Sequence, residues 1–172
     1  MEFKTNDNPW IIGFPIHESY SILEQKAFHL LSIINASAKS NSISDLKNFL
    51  VIEYEFSEIS RLLLECAVQI RNEIDQKYIL SEDNKYSINS FVGILFHDTK
   101  IAPEKSTNLT FREACNKIIH TKHINFDLEN AKSINEYDSL NNTIYLYGDY
   151  QNKEWKVELD VCTFICVLIN IK

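Results

Sequence analysis

A chain of 172 residues can bury a core of its own, and a 45% apolar composition with only three glycines and three prolines describes an ordered globular chain. A net charge of −7 excludes a protein that coats nucleic acid through a generally basic surface. MEFKTNDNPW lacks a basic region followed by an apolar one, and the longest apolar run, Val161 to Ile171, falls far short of the ~20 residues of a spanning helix. One cytoplasmic domain over 1–172, making no membrane contact, is therefore expected.

In chain order, residues 1–15 are expected to form an N-terminal arm whose Trp10, Ile11, Ile12 and Phe14 fold back onto the core. Between residues 17 and 35, Tyr20, Leu23, Ala27, Leu30 and Ile34 recur at spacings of three and four, one face of an amphipathic helix. The serine-rich stretch 36–45 reads as a linker ending in an N-cap at Ser44 or Asp45. Leu46 to Ile52 is expected to begin a second helix, although the alternation in VIEYEF leaves a short strand open. Phe56, Ile59, Leu63, Cys66 and Ile70 then predict a helix over 57–76.

Residues 80–90 look like a turn, residues 90–96 form a buried segment of either type, and 97–108 read as a loop around Pro103. Leu109 to His123 is the next helix, and the polar stretch 125–142 matches no pattern. Alternation on both sides of GDYQN predicts a β-hairpin over 143–160, followed by a closing helix over 161–171. The expected fold class is mainly α: a helical bundle over 16–125 with a C-terminal β-hairpin and closing helix.

The four cysteines, Cys66, Cys115, Cys162 and Cys166, sit among apolar neighbours and read as reduced core residues, with no CxxC pair for a zinc ribbon. Cys162 and Cys166 lie one helical turn apart, so a shared metal stays open. Three isolated glycines build no phosphate loop, and no cofactor is expected. His97 beside Asp98 is a further pair in which a carboxylate could orient an imidazole.

The densest set of reactive side chains is LTFREACNKIIHTKH, residues 109–123. Positive charge also gathers here: Lys100, Lys105, Arg112, Lys117 and Lys122 outnumber Glu104 and Glu113 in an otherwise acidic chain. Thr110 and Glu113 form a capping box. At about 100° per residue, Asn116 falls about 40° from Arg112, His120 about 80°, and His123 about 20° if the helix lasts that far. Phe111, Ala114, Cys115 and Ile118 occupy the other side. A guanidinium that can hold a phosphate and an imidazole that titrates near neutral pH suit recognition or cleavage of a phosphodiester. An ordinary solvated helix face is the plain alternative. His120 and His123 also form an H-x-x-H pair capable of holding a metal, without the glutamate of the H-E-x-x-H pattern.

CNKIIH, Cys115 to His120, resembles the RNxxxH signature of HEPN domains, in forms such as RNKIAH. Asn116 and His120 match, and Lys117 and Ile118 fit the usual context. The resemblance spans about residues 17–125. It implies a helical bundle that pairs as a homodimer and acts in RNA-targeting, toxin–antitoxin or antiphage systems. Many members are metal-independent endoribonucleases; others only bind. In an active version His120 would be the general acid–base, Arg112 would hold the phosphate and Asn116 would orient either, with His123 and Lys117 as secondary candidates. Cys115 stands where the family has its arginine, and Arg112 lies eight residues before His120, roughly 12 Å along a helix axis. Arg71-Asn72 matches only the first half of the signature, with Gln76 in the histidine's place. A non-catalytic module that binds a protein partner is the competing expectation.

Overall fold

The computed structural model describes residues 16–37, 54–77, 89–129 and 139–171. The expected N-terminal arm, the 36–45 linker with its caps, and the helix start at 46–52 lie wholly or mostly outside them. Two long helices come first, α1 (Ile16–Ser37) and α2 (Phe56–Lys77). Their 3–4 spacing does what amphipathic spacing dictates. Leu23, Ala27, Leu30 and Ile34 of α1 are buried, as are Ile59, Leu63, Cys66, Ala67 and Ile70 of α2. Lys26 reaches Glu65 at 3.0 Å and His29 approaches Glu58 at 4.0 Å, so the helices run antiparallel.

A five-stranded sheet overturns the expectation of a mainly helical bundle. Its strands, β1 (Phe91–Phe96), β2 (Ser106–Thr110), β3 (His123–Glu129), β4 (Ser139–Tyr150) and β5 (Lys153–Asp160), lie in the order β2-β1-β5-β4-β3. Every pairing is antiparallel. Two short helices complete the fold, α3 (Phe111–Ile119) after β2 and α4 (Val161–Asn170) after β5. The chain is thus α+β. The region 16–125 is interrupted by β1 and β2, and the C-terminal hairpin belongs to the centre and flank of the sheet.

Periodicity leaves β1 undecided because six apolar or small residues in a row show no period. It missed β2 because STNLT has one buried side chain, Leu109; its extended state comes from pairing with β1. Gly93 is needed at the β1–β5 ladder: a Cβ there would lie 2.1 Å from the Glu158 carbonyl oxygen.

The sheet buries one face. Leu95, Val157, Leu146, Leu159 and Ile144 point towards the helices and are almost fully enclosed. The register puts Phe96, Lys156, Tyr147 and His123 in one row of the opposite face, and Ile94, Glu158, Tyr145 and Asn125 in the next. Leu140 N–H donates to Ser37 Oγ at 3.1 Å, and Phe56 stacks on Phe126 at 4.3 Å, fastening α1 to β4 and α2 to β3. β4 and β5 turn at Gln151 and Asn152, both left-handed (φ 49° and 64°), as a two-residue hairpin of matching twist requires.

Candidate functional site

The motif helix α3 leaves β2 without an intervening loop. Thr110 stays extended, and its Oγ1 accepts from Glu113 N–H at 3.4 Å, which satisfies one of the free donors at the helix start. Phe111, Ala114, Cys115 and Ile118 are buried. Arg112, Asn116 and Lys117 are half-buried on the other side, and His120 is exposed. That division is the one the sequence predicts.

The far end differs. The helix stops at Ile119 with His120 as its C-cap, His120 N–H donating to Asn116 O at 3.0 Å and Thr121 Oγ1 to Lys117 O at 2.7 Å. His123 therefore does not continue the helix face. It opens β3, paired with Tyr147, and its Nε2 lies 2.7 Å from Asn125 Oδ1. The H-x-x-H pair is split between a helix cap and a strand, and among the described residues no three His, Cys, Asp or Glu side chains converge in a metal-holding group.

Arg112 and His120 stand at opposite ends of α3, about 12 Å apart along its axis. Cys115 points into the core, fully enclosed, and burial pushes its thiol up to about 12, against a weaker opposite pull from the Arg71 guanidinium on α2. It is neither a thiolate nucleophile nor an open position for a phosphate-binding side chain. Cys66 is likewise buried, its thiol pushed up to about 11. Cys162 and Cys166 depart from the core expectation: the inward stripe of α4 is Val161, Phe164, Ile165 and Leu168, so Cys162 is half-buried and Cys166 exposed. His97 and Asp98 take separate partners. His97 Nε2 meets Thr107 Oγ1 at 2.8 Å, while Asp98 Oδ1 accepts from Lys100 and Ile101 N–H in a local turn.

The basic segment is met by the β4–β5 hairpin. Lys122 Nζ lies 2.5 Å from Asp149 Oδ1 and Lys100 Nζ 2.6 Å from Glu154 Oε1. Lys117 Nζ sits 4.4 Å above the centre of the Trp155 ring, a cation–π contact, and burial lowers its ammonium below the ordinary lysine range while Glu113 pulls it up. The Trp155 ring in turn covers Gly148, its cross-strand partner, where a Cβ would fall 2.2 Å from a ring carbon. At this corner Thr99, Lys122, His123, Tyr147, Gly148, Asp149, Glu154 and Trp155 line a cavity of about 310 Å³. Of the sequence-predicted residues, His123 lines this cavity, while Lys117, Arg112, Asn116 and His120 are not among its lining residues. Sequence reasoning missed Tyr147, Asp149, Glu154 and Trp155. Their signal was a lone glycine opposite a tryptophan in a hairpin whose register the turn fixes.

No family model, curated protein or solved structure matches the chain. No described helix is long and apolar enough to cross a membrane.

Proposed function

We propose that the protein is a non-catalytic binding module that recognises a protein partner through the corner where α3, β3 and the β4–β5 hairpin meet. One observation carries this reading: the would-be catalytic pair, Arg112 and His120, is divided between the two ends of α3, with Cys115 buried between them. A general acid–base must come within hydrogen-bond reach of the group it serves while the phosphate is held beside it. The helix start, whose partial positive charge favours a phosphate, is likewise at the end away from His120. Cations of the basic segment are drawn to Asp149, Glu154 and Trp155, which leaves less of their charge for a phosphate backbone.

A second reading has one observation in its favour. Arg112, Asn116 and His120 all lie on the outward side of α3. On that reading the resemblance to HEPN domains extends to function, and the protein targets RNA in a toxin–antitoxin or antiphage setting as a metal-independent ribonuclease. A homodimer would bring the Arg112 of one copy to the His120 of another.

Purified protein and its His120→Ala variant, incubated with mixed RNA in EDTA, separate the two. The binding reading expects no cleavage, or identical products from both proteins. Cleavage that disappears with His120 establishes the ribonuclease instead.

A further inference from the structure

We propose that the face of the sheet turned away from the helices is the interface of a symmetric dimer, occupied by the same face of a second copy of this chain. The inference stands on the strand register and is independent of the binding reading above.

Two rows of side chains fill the middle of that face. One runs Ser106, Phe96, Lys156, Tyr147 and His123 from β2 to β3; the next runs Asn108, Ile94, Glu158, Tyr145 and Asn125. Ile94, Phe96, Tyr145 and Tyr147 take no part in the core that the helices cover, and Ile94 is 39% exposed. Lys156 Nζ donates to Glu158 Oε1 at 2.7 Å and stands 4.7 Å from the Tyr145 ring centre and 5.2 Å from that of Phe96. The middle of the face is thus a group of rings around one ion pair.

The two rows match each other column by column, and this marks the occupant. A two-fold axis between the faces, across the strands and midway between the rows, lays each row on the other row of the second copy. Phe96 then meets Ile94, Tyr147 meets Tyr145, and Lys156 meets Glu158, while Ser106 and His123 meet Asn108 and Asn125. An axis running along β5 would instead stack Lys156 on Lys156 and Glu158 on Glu158. Packed sheets cross at about 30°, which displaces the outer strands, so the match matters most at β1, β5 and β4. The ion pair stays intact, because two antiparallel pairs place each ammonium against two carboxylates. Lys156 and Glu158 are already only 27% and 31% exposed, so little of their hydration is left to lose.

A phosphate backbone finds no net charge in these rows, with one lysine held by one glutamate and His123 neutral. Five strands about 4.8 Å apart make a face roughly 20–25 Å wide, at the lower end of stable interfaces, so a dissociation constant of about micromolar is expected. The helices lie on the other side of each sheet, so this dimer does not bring Arg112 of one copy to His120 of the other.

The test is sedimentation of the full chain from about 1 to about 100 μM, over which monomer should give way to dimer. Lys156→Glu or Glu158→Lys alone sets like charges across the axis and should weaken self-association about tenfold or more. Mixing these two variants restores opposite charges at both places, so a mixed dimer should form as readily as the wild-type one. The double exchange, Lys156→Glu with Glu158→Lys, should pair with itself but not with the wild type. Circular dichroism identifies any variant that has failed to fold. If a single variant fails, the double exchange decides, because it keeps an ion pair within the chain.

Three results overturn the proposal: a dimer unmoved by the single variants, single variants that stay apart when mixed, or a monomer at every concentration. The last holds whether the face is then found to bind another protein, an RNA oligomer or another stretch of the same chain. None of these readouts depends on RNA cleavage, so a His120-dependent nuclease would sink the binding-only reading and leave the dimer to be judged by itself.

Discussion

Helices α3 and α4 are built alike and finished differently. Each is launched directly from a strand, with the last strand residue as its N-cap: Thr110 for α3, and Asp160 for α4, where Oδ1 accepts from Thr163 N–H at 2.8 Å. Each begins on a buried residue, Phe111 or Val161, and the rings of Phe111 and Phe164 stack at 4.8 Å to join the two. Their inward sides are interchangeable in kind. Their outward sides are not: α4, VCTFICVLIN, carries no charged residue, whereas α3 presents Arg112, Glu113, Asn116 and Lys117 and ends on His120. The architecture accepts a strand-launched helix with an uncharged outer side, so charge on that side is not what launches α3. Lys117 serves the packing as well, because its contact with Trp155 ties α3 to β5.

Substitutions on the two sides of α3 should bear this out with graded effects. Phe111→Ala should destabilise by about 3–5 kcal/mol in urea unfolding, because it removes the stack that both helices share. A loss below about 1 kcal/mol would mean that the inward sides are not the common scaffold. Lys117→Met should cost about 1 kcal/mol or less at neutral pH. Its pH dependence has a definite sign. Burial holds the Lys117 ammonium below its ordinary 10.5, so the folded chain gives up that proton at a lower pH than the unfolded chain does. The unfolded state then binds more protons, and the wild type should gain stability relative to Lys117→Met as pH rises towards 10.5. A wild type that loses ground over that interval would contradict burial as the cause. His120→Ala, at an exposed C-cap, should change stability by no more than about 0.5 kcal/mol. A larger loss would make the histidine part of the scaffold.

The elements legible in the sequence are those with a long period or a marked turn. The long helices α1 and α2 declare themselves through apolar residues at 3–4 spacing, and the β4–β5 hairpin through alternation around GDYQN. The rest of the sheet is not written locally. β1 pairs Gly93 with Leu159 and Leu95 with Val157, more than sixty positions away, so its strand state is decided by partners that no short window contains. β3 buries Ile124 and Phe126 only in part, too short an alternation to stand out from the polar run after it. The same division runs through the site. The two-sided nature of α3 was readable from its wheel, but its end was not. Thr121 turns back onto the Lys117 carbonyl and Lys122 N–H pairs with Tyr147 O, sending His123 into the sheet. The cavity gathers Thr99, Lys122 and the hairpin from three separate stretches, which only the tertiary fold brings together.

The measurement that bears most directly on the division of α3 is Cys115→Arg, which restores the arginine of the RNxxxH spacing. Position 115 faces the core and is fully enclosed, so a guanidinium placed there is a buried charge in an apolar packing site. The expected result is a chain that is unfolded or severely destabilised by circular dichroism and that shows no ribonuclease activity in EDTA. A folded Cys115→Arg protein that cleaves RNA, and loses the activity when His120→Ala is added, would contradict the account.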